Sequence, residues 1–217
     1  LLSTVSLLML TGSVVLPVQA ADTEVVAAVE LSPAQQALAD LLKRGSAQGV
    51  PLMYPQGVKE AYAKRDYTKF WTDKDNITKK SVAAINVLEE SWTHGLSPAD
   101  YNVKLLREMS KARLDGPQAL EFEMLLSDAV AHYGHDITGM RVSARKLGED
   151  TKSWSQGVEA QQVLAYVFSD ADVEASLQQL APSGRLYQAL RKDLKKIVKD
   201  IAENPDQDRP DLKYPGA

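Results

Sequence analysis

A chain of 217 residues with 44% apolar content can bury one sizeable core, and a formal net charge of −4 argues against general nucleic-acid binding. The absence of cysteine excludes a disulfide, a thiolate metal site and a thiol nucleophile. Leu1 to Ala20 carries no charged residue. Its apolar stretch, Leu7-Leu8-Met9-Leu10 and Val14-Val15-Leu16, is interrupted by Thr11-Gly12-Ser13, and Val18-Gln19-Ala20 supplies the small residues of a signal-peptidase site. This reads as a secretory signal peptide cleaved after Ala20, with a cell-envelope or periplasmic destination. The other reading is a membrane anchor, but a span needs about 20 predominantly apolar residues and this run is short and broken. No later stretch is apolar enough to span. The chain starts with Leu and lacks a basic n-region, so further residues are expected before Leu1.

Residues 21–31 are rich in Ala and Val and hold three acids without turn chemistry, and are expected to form a flexible tail. The helical domain is expected over residues 32–203. Ser32-Pro33 supplies an N-cap and a first-turn proline, and Ala34, Ala37, Leu38, Leu41 and Leu42 recur at helical spacing up to Gly45. Gly49-Val50-Pro51 breaks the chain, and a short helix is expected over Gly57 to Lys64. After Asn76-Ile77-Thr78, Val82, Ile85, Leu88 and Trp92 repeat every three or four residues until Gly95, which suits a left-handed cap. Ser97-Pro98 can start a further turn. Leu105, Leu106 and Met109 mark a helix that ends near Asp115-Gly116-Pro117.

The longest pattern runs from Gln118 to Met140. Leu120, Met124, Leu125, Ala129, Tyr133, Ile137 and Met140 lie along one side, and Phe122, Leu126 and Val130 widen it. A stripe this wide predicts burial from two directions, hence a central helix with Leu125 and Tyr133 in the core. Helices are also expected over Gly157 to Phe168, Val173 to Leu180 and Gly184 to Glu203. In the last, Leu186, Leu190, Leu194, Ile197 and Ile201 form one stripe, with Arg191, Lys192, Lys195 and Lys199 around it. Nothing alternates with period two, so the predicted fold is all-α, a compact multi-helix bundle-like domain without a sheet. From Asn204 the chain is polar, with Pro205, Pro210 and Pro215, and reads as a linker or as the approach to a following module.

Candidate chemistry is sparse. His132 and His135 lie three apart with Asp128 one turn earlier, a spacing that shares a helix surface and could supply zinc ligands. A fourth ligand would have to come from elsewhere, and His94 precedes a glycine at a helix end. Solvated or core-edge histidines are the simpler reading. Ser127, Ser153 and Ser155 lack a nucleophile-elbow context and read as helix surface and loop. Glu89-Glu90, or Glu121 with Glu123, would serve a glycosidase only across a cleft of about 5 to 9.5 Å. Tyr62, Tyr67, Phe70, Trp71, Trp92 and Tyr101 suit either a sugar-binding face or a core, and core is the more economical reading. The basic face from Arg191 to Lys199 reads as solvated helix surface, or as a contact for anionic polymer or lipid. No catalytic, metal-binding or cofactor-binding residue is assigned from the sequence.

Four segments carry a resemblance. They are Tyr62-x-x-Arg65-Asp66-Tyr67-x-x-Phe70-Trp71, then His94-Gly95-Leu96-Ser97-Pro98-Ala99-Asp100-Tyr101, then Leu125-Leu126-Ser127-Asp128-Ala129-x-x-x-Tyr133-x-x-Asp136-Ile137, and Leu180-Ala181-Pro182-x-x-x-x-Tyr187-x-x-Leu190-Arg191-x-x-Leu194. In order and spacing they resemble the N-terminal helical scaffold domain of large bacterial murein L,D-transpeptidases. The resemblance covers roughly residues 55 to 200. It implies a non-catalytic module of peptidoglycan cross-linking machinery, partnered in cis or in trans by a catalytic domain with a His/Cys motif, or by peptidoglycan itself. A chain truncated before that domain is expected. A stand-alone periplasmic adaptor that binds a protein partner, or a divergent hydrolase, are the competing readings.

Overall fold

The computed structural model describes residues 30–139, 141 and 155–205, and the compact unit treated below begins at Leu31. The domain is mainly α-helical. The first helix, α1 (Pro33–Leu42), starts in a full capping box: the Ser32 hydroxyl accepts the Gln35 N–H, and Gln35 reaches back to the Ser32 N–H. Helix α2 (Pro55–Ala63) begins at Pro55, two residues before the predicted start, because proline suits a first helical turn. Helix α3 (Lys79–Glu89) is capped by the Thr78 hydroxyl. Its predicted continuation to Gly95 tightens into a 3-10 turn, Glu90–His94, and Gly95 closes it at φ 75° as expected. A second such turn, Pro98–Tyr101, leads into α4 (Val103–Lys111). Ser97 stands at the head of that second turn but makes no side-chain cap bond, which corrects the expectation from Ser97-Pro98.

The central helix is α5 (Gly116–Thr138), opened by a second capping box between Asp115 and Gln118. Every residue from Phe122 to Gly134 is buried, Leu125 and Tyr133 completely. The wide stripe is explained by its neighbours: α1, α2, α3, α4 and α6 (Ala160–Ser169) all pack on it. Helix α6 comes close because Gly134 has no side chain. A methyl group there would lie 2.3 Å from the Val163 Cγ1. Helix α7 (Val173–Gln179) rests on α3 and α6, and α8 (Arg185–Glu203) completes the described chain.

Two minimal ladders qualify the expectation of no sheet. Strands β1 (Ser46–Ala47) and β2 (Val50–Pro51) pair antiparallel, as do β3 (Thr72–Asp73) and β4 (Asn76–Ile77). Each encloses a two-residue turn with both residues at positive φ, Gln48-Gly49 and Lys74-Asp75. That is the turn geometry that matches strand twist. Two residues per strand leave no alternation to detect. Among the described residues no helix is long and apolar enough to cross a membrane. The predicted signal peptide lies outside the described residues, as do all of the 21–31 tail except Glu30 and Leu31 and all of the 204–217 linker except Asn204 and Pro205.

Candidate functional site

The side chains that looked most chemical are anchors. Glu123 is fully buried, yet both carboxylate oxygens are occupied. Oε1 accepts the N–H of Trp71 at 2.8 Å, the N–H of Thr72 at 2.6 Å and the Thr72 hydroxyl at 2.9 Å. Oε2 accepts the Phe70 N–H at 3.0 Å and the Tyr62 hydroxyl at 2.6 Å. One turn on, Ser127 Oγ accepts the Trp71 indole N–H at 2.8 Å and lies 2.9 Å from the Tyr62 hydroxyl. Tyr62 donates to Glu123, so Ser127 donates to Tyr62, and the bonds form one continuous chain. Ser127 is therefore buried and engaged rather than on the helix surface, and its hydrogen-bond partners among the described side chains are Tyr62 and Trp71. The aromatic residues pack as core: Tyr62, Trp71 and Tyr101 have no exposed surface. Phe70 is held between cations, with the Arg65 guanidinium 5.0 Å and the Lys80 ammonium 4.4 Å from its ring centre.

Asp128 anchors a second loop. Its two oxygens accept the N–H groups of Met53 at 2.9 Å and Tyr54 at 2.8 Å, at the start of α2, where Tyr54 itself supplies no cap. Burial raises the Asp128 carboxyl above its ordinary value, and the two N–H donors and His132 pull it back. His132 lies 3.4 Å from Asp136, which accepts the Tyr101 hydroxyl at 2.9 Å and pairs with Arg141 at 3.1 Å. His135 faces the Val158 carbonyl at 3.2 Å. The three candidate zinc ligands are thus turned to separate partners, and among the described residues no group of three His, Asp or Glu side chains converges on a cation position. Of the candidate acid pairs, Glu121 takes a bond from Gln48, Glu89 is paired with Arg107 at 2.7 Å, and Glu90 lies 4.0 Å from Lys195. Ser155 is exposed, and Ser153 lies outside the described residues.

Helix α8 is different from every other α-helix described. It buries no residue. One side leans on the 90–94 turn: the Tyr187 hydroxyl is 2.6 Å from His94 Nδ1 with the rings stacked, and Arg191 Nε donates to the Thr93 hydroxyl at 3.1 Å. Its apolar stripe points to solvent, with Leu186 74%, Leu190 60% and Ile197 56% exposed. Of the basic residues, Arg191 is half-buried against the body of the domain, Lys195 lies at the edge 4.0 Å from Glu90, and Lys192 and Lys199 are exposed as expected of a solvated face. Of the three histidines, His94 is the one whose titration reports this contact.

Burial, then the Arg191 and Lys195 charges, lower the His94 pKa from 6.5 to about 4. The unfolded chain takes up this proton below pH 6.5, and the folded chain does so only near 4. His94 thus contributes stability that is fully present above pH 6.5 and is lost as pH falls toward about 4. An NMR titration of the His94 ring should show a midpoint near 4. A midpoint near 6.5 would mean that α8 is not seated on the turn.

These features define a helical module whose polar interior fixes loops and whose last described helix presents an exposed apolar side. The chain belongs to the scaffold-domain family, whose model, described as a scaffold domain, matches residues 56–194. The match starts in α2, ends within α8 and contains the anchors Glu123, Ser127 and Asp128. The scaffold domain is non-catalytic. No curated protein matches the chain, and no solved structure does.

Proposed function

We propose that this chain is the scaffold domain of an L,D-transpeptidase-like protein, exported to the periplasm, that acts in peptidoglycan cross-linking and cell-wall assembly. Its role is to hold a cysteine-bearing catalytic domain in position, in cis or in trans. The family membership and the four resembling segments support the pathway, and the uncharged, signal-like Leu1–Ala20 stretch supports the compartment. The observation that carries the positioning role is α8. Nineteen residues make a helix about 28 Å long, and Leu186, Leu190, Ile197 and Ile201 of its apolar stripe are exposed along it, with Leu194 half-buried. A strongly amphipathic helix gains stability from covering its apolar face. Its other side is tied to the core through His94 and Thr93, so a domain seated on the stripe would be held rigidly.

The chain itself should perform no transfer. L,D-transpeptidation waits on a thioester at a cysteine thiolate, and this chain has no cysteine. Residues 21 to 217 incubated with tetrapeptide-bearing muropeptides should give no cross-linked or trimmed species above a boiled control by mass spectrometry. The positioning role is tested by adding a transpeptidase catalytic domain and measuring association. Leu190→Asp with Ile197→Asp should weaken it by about tenfold or more, since exposed apolar anchors carry such contacts. The melting temperature should stay near that of the parent, because neither residue is buried. Association unchanged by the pair of substitutions would move the contact off α8. Capture of a different periplasmic protein on the same face would favour the adaptor reading.

A further inference from the structure

Beneath the inner side of α8 lies a cleft of about 160 Å³, walled by α3, the 90–94 turn, α5, α7 and α8. At this cleft stands Tyr133, whose side chain is completely buried and whose hydroxyl has no hydrogen-bond partner. Buried polar groups are nearly always paired, and an unpaired one is costly. The other buried polar side chains of α5, namely Glu123, Ser127, Asp128 and His132, all have partners. Arg65 Nε and Ser91 Oγ are likewise unpaired among the described residues, but neither lines this cleft.

The rest of the lining is divided by charge. Arg191 and Lys195 stand on the α8 wall. Arg191 uses Nε on Thr93, which leaves its terminal nitrogens free among the described residues, and Lys195 has just the 4.0 Å approach to Glu90. The acids of the lining are Glu90, which is exposed and is the residue that Lys195 approaches, and Glu174 on α7, which is also exposed and has no cation partner among the described residues, with one oxygen accepting from Gln178 at 3.0 Å. His94 adds no charge at neutral pH, since its pKa is held near 4, and Tyr133, pushed up to about 12, keeps its proton to donate. A simple anion in this cleft would meet two carboxylates, and a simple cation would meet two basic groups. A group with both charges can meet both kinds of lining residue. The volume corresponds to roughly five waters, at about 30 Å³ each, which limits an occupant to a small molecule.

We infer that this cleft binds a small zwitterion, a free α-amino acid with a short side chain, with its carboxylate on Tyr133, Arg191 and Lys195 and its ammonium toward Glu90 and Glu174. The site goes beyond the positioning role and does not depend on it. Its occupant would bridge α8 to α5 and α7, and so fix the helix whose outer stripe is free.

The test titrates the full chain with glycine, L-alanine and D-alanine by NMR, with acetate and ethylamine as the two half-ligands. At least one amino acid should saturate with a dissociation constant on the order of 1 mM, and each half-ligand should bind at least about tenfold more weakly. Tyr133→Phe should weaken the amino acid by about tenfold without lowering the melting temperature, because no protein hydrogen bond is lost. Arg191→Gln should weaken it similarly, and if that variant unfolds, Tyr133→Phe decides. The inference is overturned if no amino acid saturates by about 50 mM, as when water alone occupies the cleft. Acetate binding as tightly as alanine, or a Tyr133→Phe chain that binds like the parent, would also overturn it.

Discussion

Glu123→Ala is expected to lower the unfolding free energy by about 3 to 5 kcal/mol, because several buried donors lose their acceptor at about 1 to 3 kcal/mol each. Three backbone N–H groups and two hydroxyls converge on this one carboxylate. Without it, the N–H groups of Trp71 and Thr72 remain buried with nothing to accept them, and the loop that seats Trp71 loses its register. Glu123→Gln should be milder. An amide oxygen at the Oε1 position keeps Trp71 and Thr72, and an NH₂ at the other position can donate to Tyr62, so Phe70 N–H is the main loss. Urea denaturation of the two variants checks the order. A loss below about 1 kcal/mol for Glu123→Ala would mean that water replaces the carboxylate at little cost. Hydrogen exchange gives a second view, because the amides of residues 70–72 should lose protection before the rest of the core.

Leu125→Ala is expected to cost about 2 to 5 kcal/mol, through lost transfer energy and the cavity that remains. Leu125 has no exposed surface, and the helix that carries it is enclosed by five others, so little room exists for collapse. A loss below about 0.5 kcal/mol in denaturant melts would place the residue outside the tight core. The two substitutions probe different forces on one helix. Leu125 reports apolar packing, and Glu123 reports the polar anchoring of a loop.

Helix positions were legible because they depend on local signals. The cap at Ser32, the left-handed glycine at Gly95, and the 3.6-residue recurrence of leucines act within a turn or two of chain. Helices α6, α7 and α8 fall within three residues of their predicted bounds for the same reason. The two small ladders were not legible, because two residues cannot show a period, and of the four positive-φ turn residues Gly49 and Asp75 are favoured types while Gln48 and Lys74 are not. Nor was the role of Glu123. A glutamate three residues before Leu126 reads as helix surface, and nothing local reveals that residues 70–72, some fifty positions earlier, turn their N–H groups toward it.

The same division holds for function. The sequence by itself determined that the domain is helical, that the pattern beginning at Gln118 holds its centre, and that no thiol chemistry is available, because periodicity and composition do not depend on where distant segments meet. The tertiary structure decided which polar residues are bound to loops, that Tyr133 is left unpaired beside a cleft, and that the stripe of α8 faces outward while Arg191 faces in. An amphipathic pattern specifies that a helix has an apolar side. Which way that side turns depends on the packing of the 90–94 turn against Tyr187 and Arg191, a contact made across about a hundred residues of chain.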